Sequence, residues 1–576
     1  MKPPLASRSL TDRLKALPPL EIARLRQQVR KDQFPGGTRV AEALWRCGIR
    51  RVLAVAGTPA DSILSACAAR GIRVIGTRHQ QAAVLAAAAA NYIAGRLESA
   101  VVVSAGPAVT NTLTGLLVAR DNGWPVLVLG GRRAVAAEGM GAFQALDALP
   151  IVSSITRWAS TPRCTGELMG QILQAAAAAM SGRPGPAYLD LPEDVLADSA
   201  CLEDWTPPQT TFPSLPDPAL IREAAQRIQD AKRPLLILGE GLRWSLDTGV
   251  LRTLVERHHL PFITTSLARG YLPDSHSLCA SEVRRWVQGQ ADVVLMAGAG
   301  FDWRFRFGTE LAPGARVIHA DADDTTVGRN VRATVGFTGD PGLFLAALVE
   351  SLSLTPLGDR VAQWSEWRES ILRARAEHRR TLDSGHPIES EALSPQEAVW
   401  AIREVLPSEA ILTVEGNVSL AAIQRGLSID QPVSWMDPGA NGIIGASIPF
   451  ALGAKLACPD RPVVAVCGDT GFGMGCMELE TAVRHDLPVV VVIFNNDGNS
   501  GAIRQRALFP QNHPERVTAY SPGLRYEQMA ALFGGHAESV SQRGELQGAL
   551  RRALNSGRMA CVNVRVDPNA EHTGTW

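Results

Sequence analysis

Two short runs, Pro462–Val466 and Pro488–Phe494, are apolar and largely β-branched, with almost no polar alternation. A strand wetted on one face alternates. A strand covered on both faces does not, so both runs read as buried strands of a parallel sheet. Parallel neighbours need crossovers, normally helical, which restricts the chain to an α/β architecture. Each run hands over to polar residues at its carboxyl end: Cys467-Gly468-Asp469-Thr470-Gly471 after the first, Asn495-Asn496 after the second. Open α/β sheets bind ligands at that edge. One carboxylate and one amide oxygen, delivered from two strand ends, suit a hard, partly hydrated cation that grips a diphosphate, typically Mg2+. Gly471, Gly473 and Gly475 let backbone approach phosphate oxygens.

The same strand–helix rhythm recurs along the chain. Strand candidates are Arg51–Ala56, Arg73–Gly76, Ala100–Ser104, Pro125–Leu129, Ala187–Leu191, Pro234–Leu238, Ala291–Ala297 and Arg316–Ala320, with an Ala-rich helix over Gln81–Ala94. The fold class predicted is α/β, with three doubly wound parallel-sheet domains, at 37–200, 219–355 and 390–576. A Pro-rich linker, 201–218, and a polar helical connector, 356–389, separate them. Residues 1–36 form a basic amphipathic arm, with Leu17, Leu20, Ala23, Leu25 and Val29 among Arg and Lys, broken by Pro35-Gly36-Gly37. It reads as a solvated helix or as a docking segment for a partner. A length of 576 residues with 46% apolar content supports three or four real cores. A net charge of zero gives nucleic acid or an acidic membrane no hold. No apolar stretch has transmembrane length, and no signal-peptide core is evident. Nine Cys, an odd number with no C-x-x-C pair, argue against a disulfide framework or a zinc site and predict a cytoplasmic setting.

Gly-Asp followed 27 positions later by the second Asn of a pair, Asp469 to Asn496, resembles the diphosphate-and-metal motif of thiamine-diphosphate enzymes. The resemblance spans nearly all of 38–570. It implies a pyrimidine-binding, a central Rossmann-like and a diphosphate-binding domain, in that order. It implies thiamine diphosphate and Mg2+, with Asp469, the Asn496 side chain and the Gly498 carbonyl as metal ligands. Gly468, Thr470, Gly471, Asn499 and Ser500 would lie beside the cofactor. Glu415-Gly416-Asn417 resembles the family's Glu-Gly-Ala-Asn turn, whose backbone approaches the diphosphate. In Pro438–Gly445, Ile444 matches the aliphatic buttress that bends the cofactor, and the Gly442 carbonyl would accept from its 4′-amino group. Met140–Gln144, Gly185–Pro192, Gly298–Trp303 and Gly471–Glu478 are most similar to the 2-hydroxyacyl-CoA lyase and oxalyl-CoA decarboxylase branch, with acetolactate synthase next.

The chain departs from that family where its proton chemistry starts. The family's Arg-x-Glu-Gln-Ala-Ala is here Arg78-His79-Gln80-Gln81-Ala82-Ala83. Gln80 can hydrogen-bond the pyrimidine N1′ but cannot exchange a proton with it. His79 titrates near neutrality and is a candidate substitute, against the plainer reading of a strand-end histidine held by local hydrogen bonds. Phe143 and Gln144 match the lyase branch's Phe-Gln at the substrate. Gly498-Asn499-Ser500 replaces that branch's Gly-Ile-Tyr, which opens the pocket. No Lys or Arg follows Arg565, so the basic lid over CoA is missing, and Trp576 is the remaining cap candidate. Three functions stay open. One is a lyase or decarboxylase acting on a 2-hydroxyacyl or 2-oxo acid (thioester) through an enamine. Another is an acetolactate-synthase-type carboligase. The third is a non-catalytic cofactor-binding homologue, suggested by Gln80. The resemblance further implies a homodimer or homotetramer with active sites at the subunit interface, Gln80 and Asp469 of one chain lying apart. ADP or CoA are candidates for the central domain near Arg304 or Arg306, and FAD is not expected to act chemically.

Overall fold

A computed structural model describes residues 33–201, 215–354, 360–383, 393–509 and 514–570. The N-terminal arm up to residue 32, most of the Pro-rich linker and the C-terminal segment with Trp576 lie outside the described residues. The first unit opens with a two-stranded antiparallel ribbon, β1 (Gln33–Pro35) against β8 (Ser199–Cys201), which ties its two ends together. Between them run β2 (Arg51–Val55), β3 (Arg73–Gly76), β4 (Ser99–Val103), β5 (Val126–Arg132), β6 (Trp158–Ser160) and β7 (Pro186–Pro192). They form one parallel sheet in the order β3-β2-β4-β5-β7-β6. The β4 and β7 strands are buried along their whole length, as mostly apolar strands covered on both faces are, and the buried Asp190 of β7 is held by Arg132 and Tyr188.

Gly36 and Gly37 open helix α1 (Gly36–Arg46) directly after β1. A Cβ on Gly36 would lie 2.7 Å from Leu196 Cα, and one on Gly37 2.8 Å from the Ser62 carbonyl oxygen. These glycines serve close packing. Helix α2 (Gln80–Ala94) is the Ala-rich segment, buried from Ala82 to Ile93.

The second unit contains β9 (Pro234–Leu238), β10 (Phe262–Thr264), β11 (Val293–Ala297), β12 (Arg316–Asp321) and β13 (Val335–Thr338), parallel in the order β10-β9-β11-β12-β13. The polar connector includes helix α3 (Ser365–Asp383). Two indoles at its start fasten it to the central sheet: Trp364 Nε1 donates to the Ala231 carbonyl at 2.8 Å and Trp367 Nε1 to that of Pro234 at 3.0 Å.

The third unit contains β14 (Ile411–Val414), β15 (Trp435–Met436), β16 (Val463–Gly468), β17 (Val490–Asn495), β18 (His536–Val540) and β19 (Ala560–Arg565). Its parallel order, β15-β14-β16-β17-β19-β18, reverses direction between β14 and β16. A crevice forms at the carboxyl ends of strands at such a switch point. Helix α4 (Asn417–Gly426) follows β14, and helix α5 (Ser447–Ala457) crosses behind the sheet. Helices α6 (Asp469–Gly475) and α7 (Glu478–Arg484) connect β16 to β17, and α8 (Gly501–Leu508) follows β17.

The central unit buries its own cores on the two faces of its sheet. The first and third units each bury a core of their own on one sheet face and share another: residues of α2 and α5 belong to a single apolar cluster, with the Trp124 ring 5.1 Å from that of Phe450. Where the two helices meet, a Cβ on Gly453 would lie 2.2 Å from the Ala86 carbonyl oxygen.

Candidate active site

Strands β16 and β17 are hydrogen-bonded neighbours, so Asp469 and Asn496 emerge side by side. The Asp469 carboxylate is buried. Its Oδ1 accepts from Thr470 N at 2.7 Å and its Oδ2 from Gly498 N at 2.8 Å. Burial raises its pKa to about 6 despite those two donors. The inner end of the Asn496 amide lies 2.7 Å from the Gly498 carbonyl oxygen and its outer end 3.3 Å from Gly501 N. With nitrogen inward this is an ordinary hydrogen bond. With oxygen inward, two acceptors converge at the spacing of neighbouring ligands around a small octahedral cation, roughly 3 Å for ligands at about 2.1 Å. Among the described residues no group of three His, Cys, Asp or Glu suits a metal. One carboxylate with neutral oxygens is instead the donor set of a cation that keeps waters and phosphate oxygens, so the residues fit Mg2+ with a diphosphate.

The loop after β17 is fixed on both sides. Asn499 N donates to the Thr518 carbonyl at 2.8 Å, and the Asn499 side-chain oxygen accepts from Arg504 at 2.7 Å. Ser500 has a left-handed backbone, φ 64°, and caps α8. Gly468 ends β16, and its amide nitrogen lies 3.4 Å from where a Cβ on Gly416 would stand, so the turns after β14 and β16 face one another across the switch point. Gly471 has no room for a side chain, because a Cβ would lie 2.6 Å from Glu415 Oε1.

Glu415 is fully buried, and its carboxylate faces inward. Oε2 accepts from Ala446 N at 2.7 Å and Oε1 from Ser447 Oγ at 2.9 Å. It therefore holds the turn that carries Gly442 and Ile444, and only its backbone faces the crevice. Burial raises its pKa from 4.5 to about 7. An acid with a folded pKa above its unfolded one binds more protons when folded, so stability falls as pH rises from about 4.5 to about 7. That loss is on the order of 3 kcal/mol. Glu415→Gln can keep both hydrogen bonds if the Ser447 hydroxyl accepts instead of donating. The variant is expected to show a flatter stability profile between pH 5 and 8, measured by denaturant titration. A profile parallel to wild type would contradict the inward-facing ionisation.

The turn Pro438–Asn441 is gripped from both other units. Asn122 Nδ2 donates to the Pro438 carbonyl at 3.2 Å, and Asn122 Oδ1 accepts from Ala440 N at 3.0 Å. Asn441 Nδ2 donates to Asp121 at 2.9 Å, and Trp303 Nε1 to the Ala440 carbonyl at 3.1 Å. A cleft of about 510 Å³ lies here, with Asn417, Gly442 and Ile444 on one wall and Ser266, Arg284 and Trp303 on the other. Both cations named for the central unit already pair with carboxylates, Arg304 in a buried setting and Arg306 in a partly exposed one. Arg304 is held by Glu240 at 2.8 Å and Asp302 at 2.7 Å, and Arg306 pairs with Glu310 at 3.2 Å. Nothing in this geometry supports ADP or CoA at that place.

The remaining candidates stand on the first unit. His79 caps α2, its Nδ1 accepting from Gln81 N at 3.1 Å, which matches the plainer reading of that residue. Gln80 is half-buried, and its Oε1 accepts from Asn111 Nδ2 at 3.0 Å. Phe143 is 77% exposed, and Gln144 beside it has a left-handed backbone, φ 58°. Glu478 on α7 clamps this region, accepting from Arg78 N at 3.1 Å and His79 N at 3.0 Å. Among the described residues no hydrogen bond joins Gln80 to Asp469.

Three family models match in chain order. The N-terminal TPP binding domain of thiamine pyrophosphate enzymes matches residues 35–151, the central domain 221–348 and the C-terminal TPP binding domain 415–564. The acetolactate synthase large subunit IlvG of Mycobacterium tuberculosis is 33% identical over 549 residues, covering 93% of this chain and 96% of its own. The chain belongs to the thiamine pyrophosphate enzyme family. The 2-hydroxyacyl-CoA lyase of Oryza sativa subsp. japonica is 31% identical over 561 residues, 93% of this chain and 96% of that protein. The oxalyl-CoA decarboxylase of Escherichia coli is 30% identical over 548 residues, 92% and 94%.

Two side chains of this thiamine pyrophosphate enzyme escaped the sequence reading. Tyr520 Oη donates to Thr470 Oγ1 at 3.0 Å, beside Asp469, yet follows no motif. Glu478 closes the Gly471–Glu478 segment that carried part of the resemblance, but nothing in its local sequence announces a partner four hundred positions away. No helix among the described residues is long and apolar enough to cross a membrane.

Proposed function

We propose that this thiamine pyrophosphate enzyme uses Mg2+ and acts as a lyase or decarboxylase on a 2-hydroxyacyl or 2-oxo acid (thioester) substrate. The observation that carries the reading is the convergence of buried Asp469, the Asn496 amide and the Gly498 carbonyl at the carboxyl ends of β16 and β17, next to the switch point of the third sheet. When bound, the cofactor supplies an electron sink for breaking or forming a carbon–carbon bond next to a carbonyl. The chain supplies everything around it. Asp469, Asn496 and Gly498 would hold the metal and, through it, the diphosphate. Gly468, Thr470, Gly471, Asn499 and Ser500 would flank that diphosphate, and Gly416 and Asn417 would approach it by backbone. Ile444 would press on the rings while the Gly442 carbonyl accepts from the amino group, both on a turn that Glu415 holds. Gln80 would bind the pyrimidine nitrogen without exchanging a proton with it, and Phe143 and Gln144 would face the substrate. The reading is of a cytoplasmic protein, and a homodimer or homotetramer with sites between subunits agrees with the outward placement of Phe143, Met140 and Met474. Acetolactate-synthase-type ligation is the second reading, favoured by the identity to the mycobacterial large subunit.

Gln80 supplies the test. Wild-type enzyme with thiamine diphosphate and Mg2+ should consume a 2-oxo acid such as pyruvate or a 2-hydroxyacyl-CoA thioester in a single-turnover assay. Gln80→Glu should speed hydrogen–deuterium exchange at C2 of the bound cofactor on the order of 10²-fold, the usual worth of a restored acid–base group. Consumption of neither substrate class would overturn the proposed reaction. Equal exchange rates would show that residue 80 does not face the pyrimidine.

A further inference from the structure

Arg133 follows directly after β5, at the ligand-binding edge of the first sheet, and has no part in the reading above. Its guanidinium makes three directed contacts. Nε donates to the Phe143 carbonyl at 2.7 Å, Nη2 donates to Gln144 Oε1 at 3.0 Å, and Nη1 lies 3.5 Å from Glu193. Its central carbon also lies 5.5 Å from the centre of the Phe143 ring. The arginine side chain is only 17% exposed although it holds one of the most exposed aromatics of the chain. The preceding residue, Arg132, fastens the same segment elsewhere, to Glu138 at 2.6 Å, Asp147 at 3.3 Å and Asp190 at 2.8 Å. Opposite, Gln144 rests against Gly106, where a Cβ would lie 2.9 Å from Gln144 Cβ.

The chemistry of the fork decides which way the Gln144 amide points. A guanidinium has donors and no acceptor, so only the amide oxygen can face it. The amide nitrogen, with two N–H groups, is thereby turned away from Arg133. A left-handed backbone at Gln144, braced by Gly106, restricts the amide further. We propose that Arg133 is a positioning residue that fixes Gln144 as a hydrogen-bond donor, and that the donor is matched to an oxygen acceptor of the substrate, a carboxylate or a thioester carbonyl. This rests on the placement of Gln144 at the substrate in the proposed function. A lysine at 133 would keep the charge but not the fork, since one ammonium cannot hold two acceptors in a fixed plane.

The test is a double-mutant cycle on the full-length holoenzyme, with whichever of pyruvate or the 2-hydroxyacyl-CoA thioester the wild type consumes. Arg133→Met is expected to raise KM roughly 10–100-fold if the acceptor is a carboxylate and roughly 3–10-fold if it is a thioester carbonyl, the worth of a hydrogen bond to a charged and to a neutral acceptor. Its affinity for thiamine diphosphate, read by calorimetry, should stay within about twofold of wild type. In a Gln144→Ala background the same change at Arg133 should add much less than in the wild type, the remainder being what passes through the Phe143 carbonyl that Arg133 also holds. Arg133→Lys should resemble Arg133→Met, and it carries the same cycle if the methionine variant does not bind cofactor. Additive losses in the cycle, an unchanged KM in Arg133→Met, or wild-type behaviour of Arg133→Lys would each overturn the inference. If the wild type consumes neither substrate, the proposed function fails instead, and calorimetric binding of pyruvate and the thioester to wild type and both Arg133 variants then decides the role of Arg133. Equal affinities among the three proteins would overturn it.

Discussion

Asp469→Ala is expected to lower the affinity for thiamine diphosphate and Mg2+ by more than 10²-fold. Removing a residue that merely orients a metal ligand costs about 10–100-fold in metal affinity, and Asp469 is the one carboxylate in the proposed ligand set. Two further losses accompany its charge. Gly498 N and Thr470 N, which donate to it at 2.8 and 2.7 Å, are left without acceptors in a buried site. Gly498 also belongs to the proposed ligand set, so loosening it would move a second ligand. Asp469→Asn retains one acceptor oxygen without the charge and should fall between wild type and the alanine variant. Calorimetric titration with cofactor and metal together measures both. Wild-type affinity in Asp469→Ala would refute the placement of the metal at the β16 end.

Gly453→Val should destabilise the enzyme by 3 kcal/mol or more, the upper part of the range for overpacking a core, about 1–3 kcal/mol and sometimes beyond. The nearest atom to the added Cβ would be a backbone oxygen, Ala86 O at 2.2 Å, with Ala89 Cβ next at 2.9 Å. Neither can rotate away, so the α2 and α5 backbones must separate and open the cluster between the first and third units. Even alanine must displace α2, against a gain in helix propensity of only about 1 kcal/mol. Denaturant unfolding followed by far-ultraviolet circular dichroism reports the change. A midpoint equal to that of wild type would mean the helices are farther apart than described.

Most of the strands that the sequence revealed are buried on both faces; β3, at a sheet edge with Arg73 exposed, is an exception. Arg73–Gly76 and Pro234–Leu238 coincide with β3 and β9, and the others named differ by a residue or a few at their ends. The strands it did not reveal include short edge strands. Trp158–Ser160 and Phe262–Thr264 are three residues each, too short for any period to show. The β13 strand alternates buried and exposed positions over only four residues. At the site, Asp469 and Asn496 were legible because their residue types stand at the carboxyl ends of two readable strands. Roles that depend on a distant partner were not. The Glu415 carboxylate turns to Ala446 and Ser447, thirty residues on, and nothing near Glu415 encodes that direction. Arg304 looked available for a phosphate because Glu240, its buried partner, lies on another turn of the central unit.

The single apolar cluster that joins the first and third units has a consequence for how the chain must be made. Helix α2 is translated early, but the α5 face that covers Ala86 and Ala89 leaves the ribosome only after the whole central unit has been synthesised. At about 5–20 residues per second that interval lasts roughly 20–70 s. Throughout it the nascent first unit presents an unpaired alanine-rich surface, while the central unit, with cores of its own, can already close. The vulnerable species during biosynthesis is therefore a half-made chain whose first unit has closed the core on one face of its sheet and still bares the other.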